Sequence, residues 1–492
     1  MKVALAKTAR MSGTGRESSS RVESSCVEES SRVSRVESST IDHLKDTRIV
    51  TSGRLTFPSW IQVNQVKKSS HACRQQVIKR KQVKASGCEV GPLILVPSAK
   101  MPPPTHDFRA IFHRFDTGGK VFSTAEAFGN GHINDTVRVK TTDGTFYILQ
   151  RINHEIFTRP VEVMANIERV TGHLARKIQE RGGDPNRETL TLIKSEKDGN
   201  TDAGSFVVVD GNYWRLYNFI ANTRSYEIGE DASSDRNGAG HRNHIYEAAA
   251  AFARFQRDMA DLPPPRLHET IPHFGDPAFR FQQFEEALKT DVMGRAGSCR
   301  AEIDFVQARK SDASKLGDML REGKMPERVV HYDTKINNVL IDNESGRGMC
   351  VIDLDTTMPG LAIYDFGDAV RAATALAAED EADLSLVGFS MEKFEQLTHG
   401  YLSVAAKFLT DVEIDHLAFA ARMVTMTIGL RFLADHLAGD KYFKTQREGQ
   451  NLDRCRTQFK TVAEMEKRYD EMKAIVEKYR RRYCKESISS LY

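Results

Sequence analysis

The chain has 492 residues, enough for two or three domains, with hydrophobic residues at 40% and charged residues at 28%, ordinary proportions for a soluble globular protein. The formal charge of +3 is nearly neutral at this size, so neither nucleic acid nor a membrane surface is expected as a partner. No run approaches the about eighteen apolar residues that span a bilayer. The seven cysteines (Cys26, Cys73, Cys88, Cys299, Cys350, Cys455, Cys484) show neither CxxC nor Cys/His metal spacing, which predicts free thiols, a reducing compartment and a cytoplasmic location.

In chain order, the first segment is an extension, residues 1–105. Lys2 and Lys7 flank an apolar stretch, Val3 to Ala6, too short for a signal peptide. Residues 17–40 repeat Ser, Arg, Val and Glu with almost nothing to bury, so they cannot offset their own ordering entropy and are predicted to be disordered. Residues 68–84 are basic, and Pro102-Pro103-Pro104 reads as a linker. From His106 the pattern becomes globular. Phe122 to Val139 reads as strand, glycine turn and strand, and Thr145 to Arg151 as a third strand after the Asp143-Gly144 hairpin signal. Val163, Ile167, Val170, Leu174 and Ile178 recur at helical spacing within 161–181. Strands follow at 190–194, 206–209 and 213–219, completing a small α+β lobe over 106–226. Beyond it, 227–485 turns mostly helical, with helices at 245–259, 391–409, 413–437 and 457–479.

Chemistry concentrates in the second part. His331-Tyr332-Asp333, with Asn338 five residues after Asp333, has the H-x-D-x-x-x-x-N spacing of a phosphoryl-transfer catalytic loop. Asp333 would accept the proton of an acceptor hydroxyl, and Asn338 would give Mg²⁺ a neutral oxygen. Twenty residues after Asp333, the apolar segment Val351-Ile352 ends in Asp353, the predicted second metal ligand. Asp355 would project to the same side if the strand stays extended. Asp365-Phe366-Gly367 spells the motif of a metal-binding Asp, but thirty-two residues after Asp333 it is too distant and reads as a buried support of the loop. In the first lobe, Gly129 and Gly131 could fold backbone amides over phosphates. The strand position that commonly holds a phosphate-contacting Lys carries Gln150 and Arg151, which makes Arg151 the candidate cation and Glu168 its candidate partner. The strand 213–219 would lead into a hinge binding adenine, with Tyr217 and Phe219 as candidates.

These residues sit within longer stretches: GHINDT (131–136), YILQRIN (147–153), YWRLYNFIANTRSYE (213–227), LHETIPHF (267–274), HYDTKINNVLID (331–342), VIDLDTTMPG (351–360), YDFGDAVR (364–371) and LRFLADHLAGDKYF (430–443). With them, residues 106–482 resemble the N-acetylhexosamine 1-kinase branch of the aminoglycoside phosphotransferase/choline kinase superfamily. The resemblance implies a bilobal protein-kinase-like α+β fold, ATP and Mg²⁺ as cofactors, and transfer of the γ-phosphate to the anomeric hydroxyl of N-acetylglucosamine or N-acetylgalactosamine. It implies Asp333 as base, Asn338 and Asp353 at the metal, and His132, Arg431 and Tyr442 at the sugar. The Gln at position 150 also fits that branch. Another small hydroxyl acceptor (an aminoglycoside, choline or homoserine) or a nucleotide-binding pseudokinase are the competing readings.

Overall fold

A computed structural model describes residues 106–489, apart from 130, 132, 197–203 and 227–242. The extension 1–105, with its predicted disordered tract, basic segment and proline linker, therefore lies outside the described residues, as does His132.

The first lobe opens with the short helix α1 (Phe108–Phe112), capped by Asp107, which accepts from the Ala110 N–H. Strands β1 (Phe122–Ala127), β2 (Asp135–Thr141) and β3 (Phe146–Ile152) then form an antiparallel meander. Helix α2 (Pro160–Glu180) starts on a proline whose missing N–H costs nothing at that position, and the short α3 (Pro185–Glu188) follows. Strands β4 (Leu192–Ile193), β5 (Val207–Val209) and β6 (Asn212–Asn218) complete the sheet in the order β1-β2-β3-β6-β4, with β5 also paired to β6.

Strand alternation gives this sheet two different faces. Val137, Val139, Tyr147, Leu149, Trp214 and Leu216 point to one side, where they form a core with Ile111 and Phe112 of α1. The other face carries Thr136, Gln150, Arg215 and Tyr217, directed at the seam between the lobes.

Past β7 (Thr223–Arg224), the second lobe is largely helical. Helix α4 (His244–Met259) is capped by Asn243, whose side chain accepts from the Ile245 and Tyr246 N–H groups, and it ends before the Pro263-Pro264-Pro265 run. After α5 (Pro277–Thr290), α6 (Arg300–Gln307) and α7 (Lys315–Arg321) come two small sheets. One pairs β8 (Arg328–Val330) with β11 (Met358–Gly360); the other has the order β10-β9-β7, from β9 (Val339–Asp342) and β10 (Gly348–Val351). Helices α8 (Ala362–Thr374), α9 (Met391–Ala405), α10 (Asp411–Asp415), α11 (Leu417–Ala438), α12 (Gln450–Lys467) and α13 (Tyr469–Ser489) close the lobe.

Helices α4 and α9 approach closely at Gly400, where a Cβ would lie 2.2 Å from the Tyr246 carbonyl oxygen, so only glycine fits. Helix α11, apolar on nearly all sides, is by length and composition alone long enough to cross a membrane, yet most of it is buried inside the lobe as a core helix. The helices expected over 413–437 and 457–479 are each interrupted. The Thr410–Glu413 capping box starts α10 separately from α11, and α12 ends at Arg468 before α13. The four cysteines among the described residues are free thiols.

Candidate active site

Strand β8 delivers the chain to His331, whose ring is fully buried between Phe252 and Phe255 of α4. Its Nε2 donates to the Ile352 carbonyl at 2.9 Å, and its Nδ1 accepts the Asp333 N–H at 3.2 Å. The ring thus joins the catalytic loop to the strand that ends in Asp353. Tyr332 takes a left-handed conformation, φ 64°, and the turn is held from below by Asp365. The Asp365 carboxylate accepts the N–H groups of His331 and Tyr332, at 2.9 and 2.8 Å, together with Gln256 Nε2 at 2.8 Å. Burial pushes the Asp365 carboxyl above its ordinary pKa, and its carboxylate is turned to the loop backbone, so it supports the loop rather than meeting a ligand. Asp368 continues this scaffold by accepting the Thr334 N–H at 2.9 Å.

On that frame the Asp333 carboxylate has two unequal oxygens. Oδ2 accepts from Asn338 Nδ2 and from Lys335 Nζ, both at 3.0 Å, whereas Oδ1 has no partner among the described residues. The Asn338 amide nitrogen also donates to the Asp333 carbonyl at 2.8 Å, which fixes the amide with its Oδ1 unengaged. Burial pulls the Lys335 ammonium down, but the Asp333 carboxylate more than offsets this and leaves it above its usual pKa.

Asp353 also lies in the left-handed region, φ 62°, and makes no side-chain hydrogen bond among the described residues. Its side chain reaches solvent in the cleft while protein crowds it from behind. That crowding, then the Asp355 and Asp333 carboxylates, push its pKa above the ordinary carboxylate range. A carboxylate with no protein hydrogen-bond partner among the described residues, held near two others, is one whose charge a cation would offset. Asp353 and the Asn338 Oδ1 are hard oxygen donors, and two protein ligands are enough for Mg²⁺ when substrate phosphates and water supply the rest.

Asp355 does not join them. The strand does not stay extended: the left-handed turn at Asp353 leads into a 3₁₀ turn at Leu354–Thr356, which sends Asp355 toward the first lobe. There Asp355 is 2% exposed, ion-paired with the equally buried Arg215 and accepting from Asn134 Nδ2 at 2.5 Å.

The first lobe corrects the reading of Arg151. Residues 150 and 151 project to opposite faces of β3. Arg151 lies on the outer face, where it pairs with Asp135 and donates to Asn212 Oδ1 at 3.1 Å. Gln150 faces the seam, where its Oε1 accepts from Arg215 Nε and Nη2 at 2.9 and 2.6 Å. The cation on the seam face of the sheet is therefore Arg215 on β6, while Arg151 stands on the opposite face. Glu168 is a half-exposed helix residue ion-paired with Lys194 and contacts neither arginine.

Gly129 has φ 77°, the conformation a tight β1–β2 turn requires, and Gly131 follows it at the loop tip. Asn134 at the loop base ties it to Asp355, and its Oδ1 accepts the Asn153 N–H at 2.9 Å. Tyr217 is buried beside Arg215, its ring 5.4 Å from the Arg215 guanidinium carbon. Phe219 packs against Phe128 and Phe146, with ring centroids 5.8 and 5.7 Å away. The Asn218 and Phe219 N–H groups are committed to the Thr191 and Phe146 carbonyls, so these residues meet a neighbour in the cleft by side chain rather than by backbone N–H.

Arg431 and Tyr442 lie against each other, with Arg431 Nη2 donating to the Tyr442 hydroxyl at 3.4 Å. The guanidinium also lies 5.5 Å from the Phe274 ring, which packs edge-on against Tyr332 of the catalytic loop at 5.5 Å. Arg280, on α5, stands beside Arg431. Burial first, then the Arg431 charge, lower its pKa to about 10.

Sequence reasoning missed Arg215, Lys335, Asn134 and Arg280. Lys335 and Asn134 lie inside motifs already singled out, and an arginine flanked by Trp214 and Leu216 in the strand 213–219 was a visible signal.

Residues 124–395, more than half of the chain, match the family model described as "Phosphotransferase enzyme family" (APH), and the chain belongs to this family. Solved structures resemble it at low identity. An aminoglycoside phosphotransferase from Alicyclobacillus acidocaldarius is 12% identical, with 79% of this chain and 98% of that one covered and a TM-score of 0.42. A choline kinase from Cryptosporidium parvum is 14% identical, with 73% and 93% covered and a TM-score of 0.43. A Plasmodium vivax ethanolamine kinase is 13% identical, with 68% and 82% covered and a TM-score of 0.38. The family assignment rests on the family model, and it makes the protein a phosphotransferase.

Proposed function

We propose that the protein is an ATP-dependent kinase that transfers the γ-phosphate to the anomeric hydroxyl of an N-acetylhexosamine, giving the sugar 1-phosphate. The observation that carries the phosphotransfer chemistry is the unengaged Oδ1 of Asp333, beside the unengaged carboxylate of Asp353. In this reading Asp333 orients the acceptor hydroxyl and takes its proton, while Asn338 and Lys335 hold the carboxylate in one rotamer. Asp353 and Asn338 would hold Mg²⁺, which when bound neutralises charge on the phosphates. Lys335 places positive charge next to Asp333, where the transferred group must pass. Gly129 and Gly131 would cover the phosphates, and Tyr217 and Phe219 would line the nucleotide side.

The sugar assignment is supported by the character of the Arg431–Tyr442–Phe274 surface, which combines a bidentate donor, a hydroxyl and aromatic faces. Arg280 and Arg431 bring two positive charges to this side, an unfavourable setting for a cationic acceptor such as choline or an aminoglycoside. We place the lobes at 106–226 and 227–485 and the enzyme in the cytoplasm.

The test is ADP release by purified protein over a panel of N-acetylglucosamine, N-acetylgalactosamine, an aminoglycoside, choline and homoserine. Stimulation by the hexosamines alone, with product phosphorylated at the anomeric oxygen, is expected. Stimulation by choline or an aminoglycoside without the hexosamines would overturn the acceptor assignment and leave the phosphotransferase.

A further inference from the structure

Behind the catalytic strand lies a cavity of about 370 Å³ that shares no lining residue with the catalytic loop. Its walls come from both lobes: the C-terminal half of α2 and the end of α3 on one side, α4 and the β9–β10 hairpin on the other. Leu174, Ile178, Phe255 and Val351 make part of it apolar.

The remaining lining is unusually basic. Arg181, Arg254, Arg257 and Arg347 all contribute, against only two carboxylates, Glu188 and Asp258. Asp258 is shared: it takes Arg181 at 2.7 Å on one oxygen and Arg257 at 2.7 Å on the other. Arg181 also reaches Glu188 at 2.9 Å. The Arg254 guanidinium donates to the Gly348 carbonyl at 2.8 Å, and Arg347 has no carboxylate partner among the described residues. Glu247, near Arg254, is the third negative charge in reach, which still leaves the group one positive charge in excess. Burial, opposed by Glu247 and reinforced by the three other arginines, holds the Arg254 guanidinium below its ordinary pKa, the direction expected of a cation short of counter-charge.

A second observation points the same way. Thr189 is 2% exposed, lines the cavity, and its Oγ1 has no hydrogen-bond partner. A buried hydroxyl left without a partner is costly in a native fold, so this wall of the cavity is polar and incompletely satisfied.

We propose that this cavity binds a small organic anion, its phosphate or carboxylate held by Arg254 and Arg347 and its ring or apolar body against Phe255 and Ile178. The excess positive charge selects for the anion and the apolar wall for a body larger than the charged group. Because the walls belong to both lobes, the ligand would bear on their relative positions. Val351 lines the cavity, and two residues on is Asp353, so the site is built to influence the cation position without touching substrate. The inference is independent of the acceptor assignment.

The test uses full-length protein saturated with MgATP, so that the nucleotide position is occupied, and phenyl phosphate as the probe. Calorimetry is expected to show binding, and hydrogen exchange is expected to show protection at 174–189, 251–258 and 345–351. Arg347→Gln, at an exposed position that leaves the fold intact, and Arg254→Gln should each weaken binding by about tenfold, the loss of one charge-assisted contact. Arg431→Gln, in the acceptor cleft, should leave it unchanged. Inorganic phosphate should bind more weakly than phenyl phosphate, and phenol not at all. The proposal is overturned by absence of binding, by equal binding of phenol or of inorganic phosphate, or by binding that Arg431→Gln removes and Arg347→Gln spares.

Discussion

Arg215 and Asp355 form an ion pair across the seam between the lobes in which both side chains are almost wholly buried, at 1% and 2% exposure. Gln150 satisfies the remaining guanidinium nitrogens and Asn134 the remaining carboxylate oxygen, so every member of the network has a partner. One pair thereby joins the central strand of the sheet, the base of the glycine loop and the segment that carries Asp353.

A buried charge left alone is far costlier than the pair is favourable, which makes a double-mutant cycle the informative experiment. Arg215→Met alone should cost about 3–5 kcal/mol by leaving the Asp355 carboxylate buried without its cation. Combining it with Asp355→Leu should recover a large part of that loss. Urea unfolding of the four proteins measures it. Strictly additive losses would show that the two residues are not coupled.

Asp333→Asn keeps the shape of the loop and removes the base. We expect kcat to fall by about 10²–10⁴-fold, the usual contribution of a positioned general base. Stability should stay within about 0.5 kcal/mol, because the side chain is partly exposed and supports no core contact. Undiminished turnover in a well-folded variant would remove Asp333 from the mechanism.

The positions of two cations, Lys335 beside Asp333 and Arg151 on the outer face of β3, predict opposite outcomes for their removal. Lys335→Met should reduce kcat by about 10²-fold, since it removes fixed positive charge beside the reacting groups. Arg151→Met should leave kcat and the KM for ATP unchanged and cost at most about 1 kcal/mol, the value of a surface pair with Asp135. Steady-state kinetics on both variants decide the matter. A large rise in the KM for ATP from Arg151→Met would restore that residue to the nucleotide site.

Divalent cation should matter through Asp353. ATP with Mg²⁺ is expected to raise the thermal unfolding midpoint more than ATP with EDTA, and a ligand at one hundred times its Kd adds about 2.7 kcal/mol. In Asp353→Asn the difference between the two conditions should vanish, while in Asp365→Asn it should persist over a lowered baseline. A metal effect that survives Asp353→Asn would place the cation elsewhere.

The sequence by itself determined the parts whose signal is local. Strand alternation in 135–152, the helical period of 160–180 and the H-x-D-x-x-x-x-N spacing are each set by neighbouring residues, and all lie where expected. The distance from Asp333 was enough to read Asp365 as a support of the loop, since a support needs only to return beneath the turn it holds. What the tertiary structure alone decided were relations between distant segments. Which of Gln150 and Arg151 faces the seam depends on which side of the sheet packs on α1. The cation at the seam beside Gln150 comes from β6, 65 residues further on, and no spacing rule links the two. Asp355 points to the first lobe rather than alongside Asp353 because a left-handed residue at 353 turns the chain, and the arginine that receives it, Arg215, lies 140 residues away in sequence.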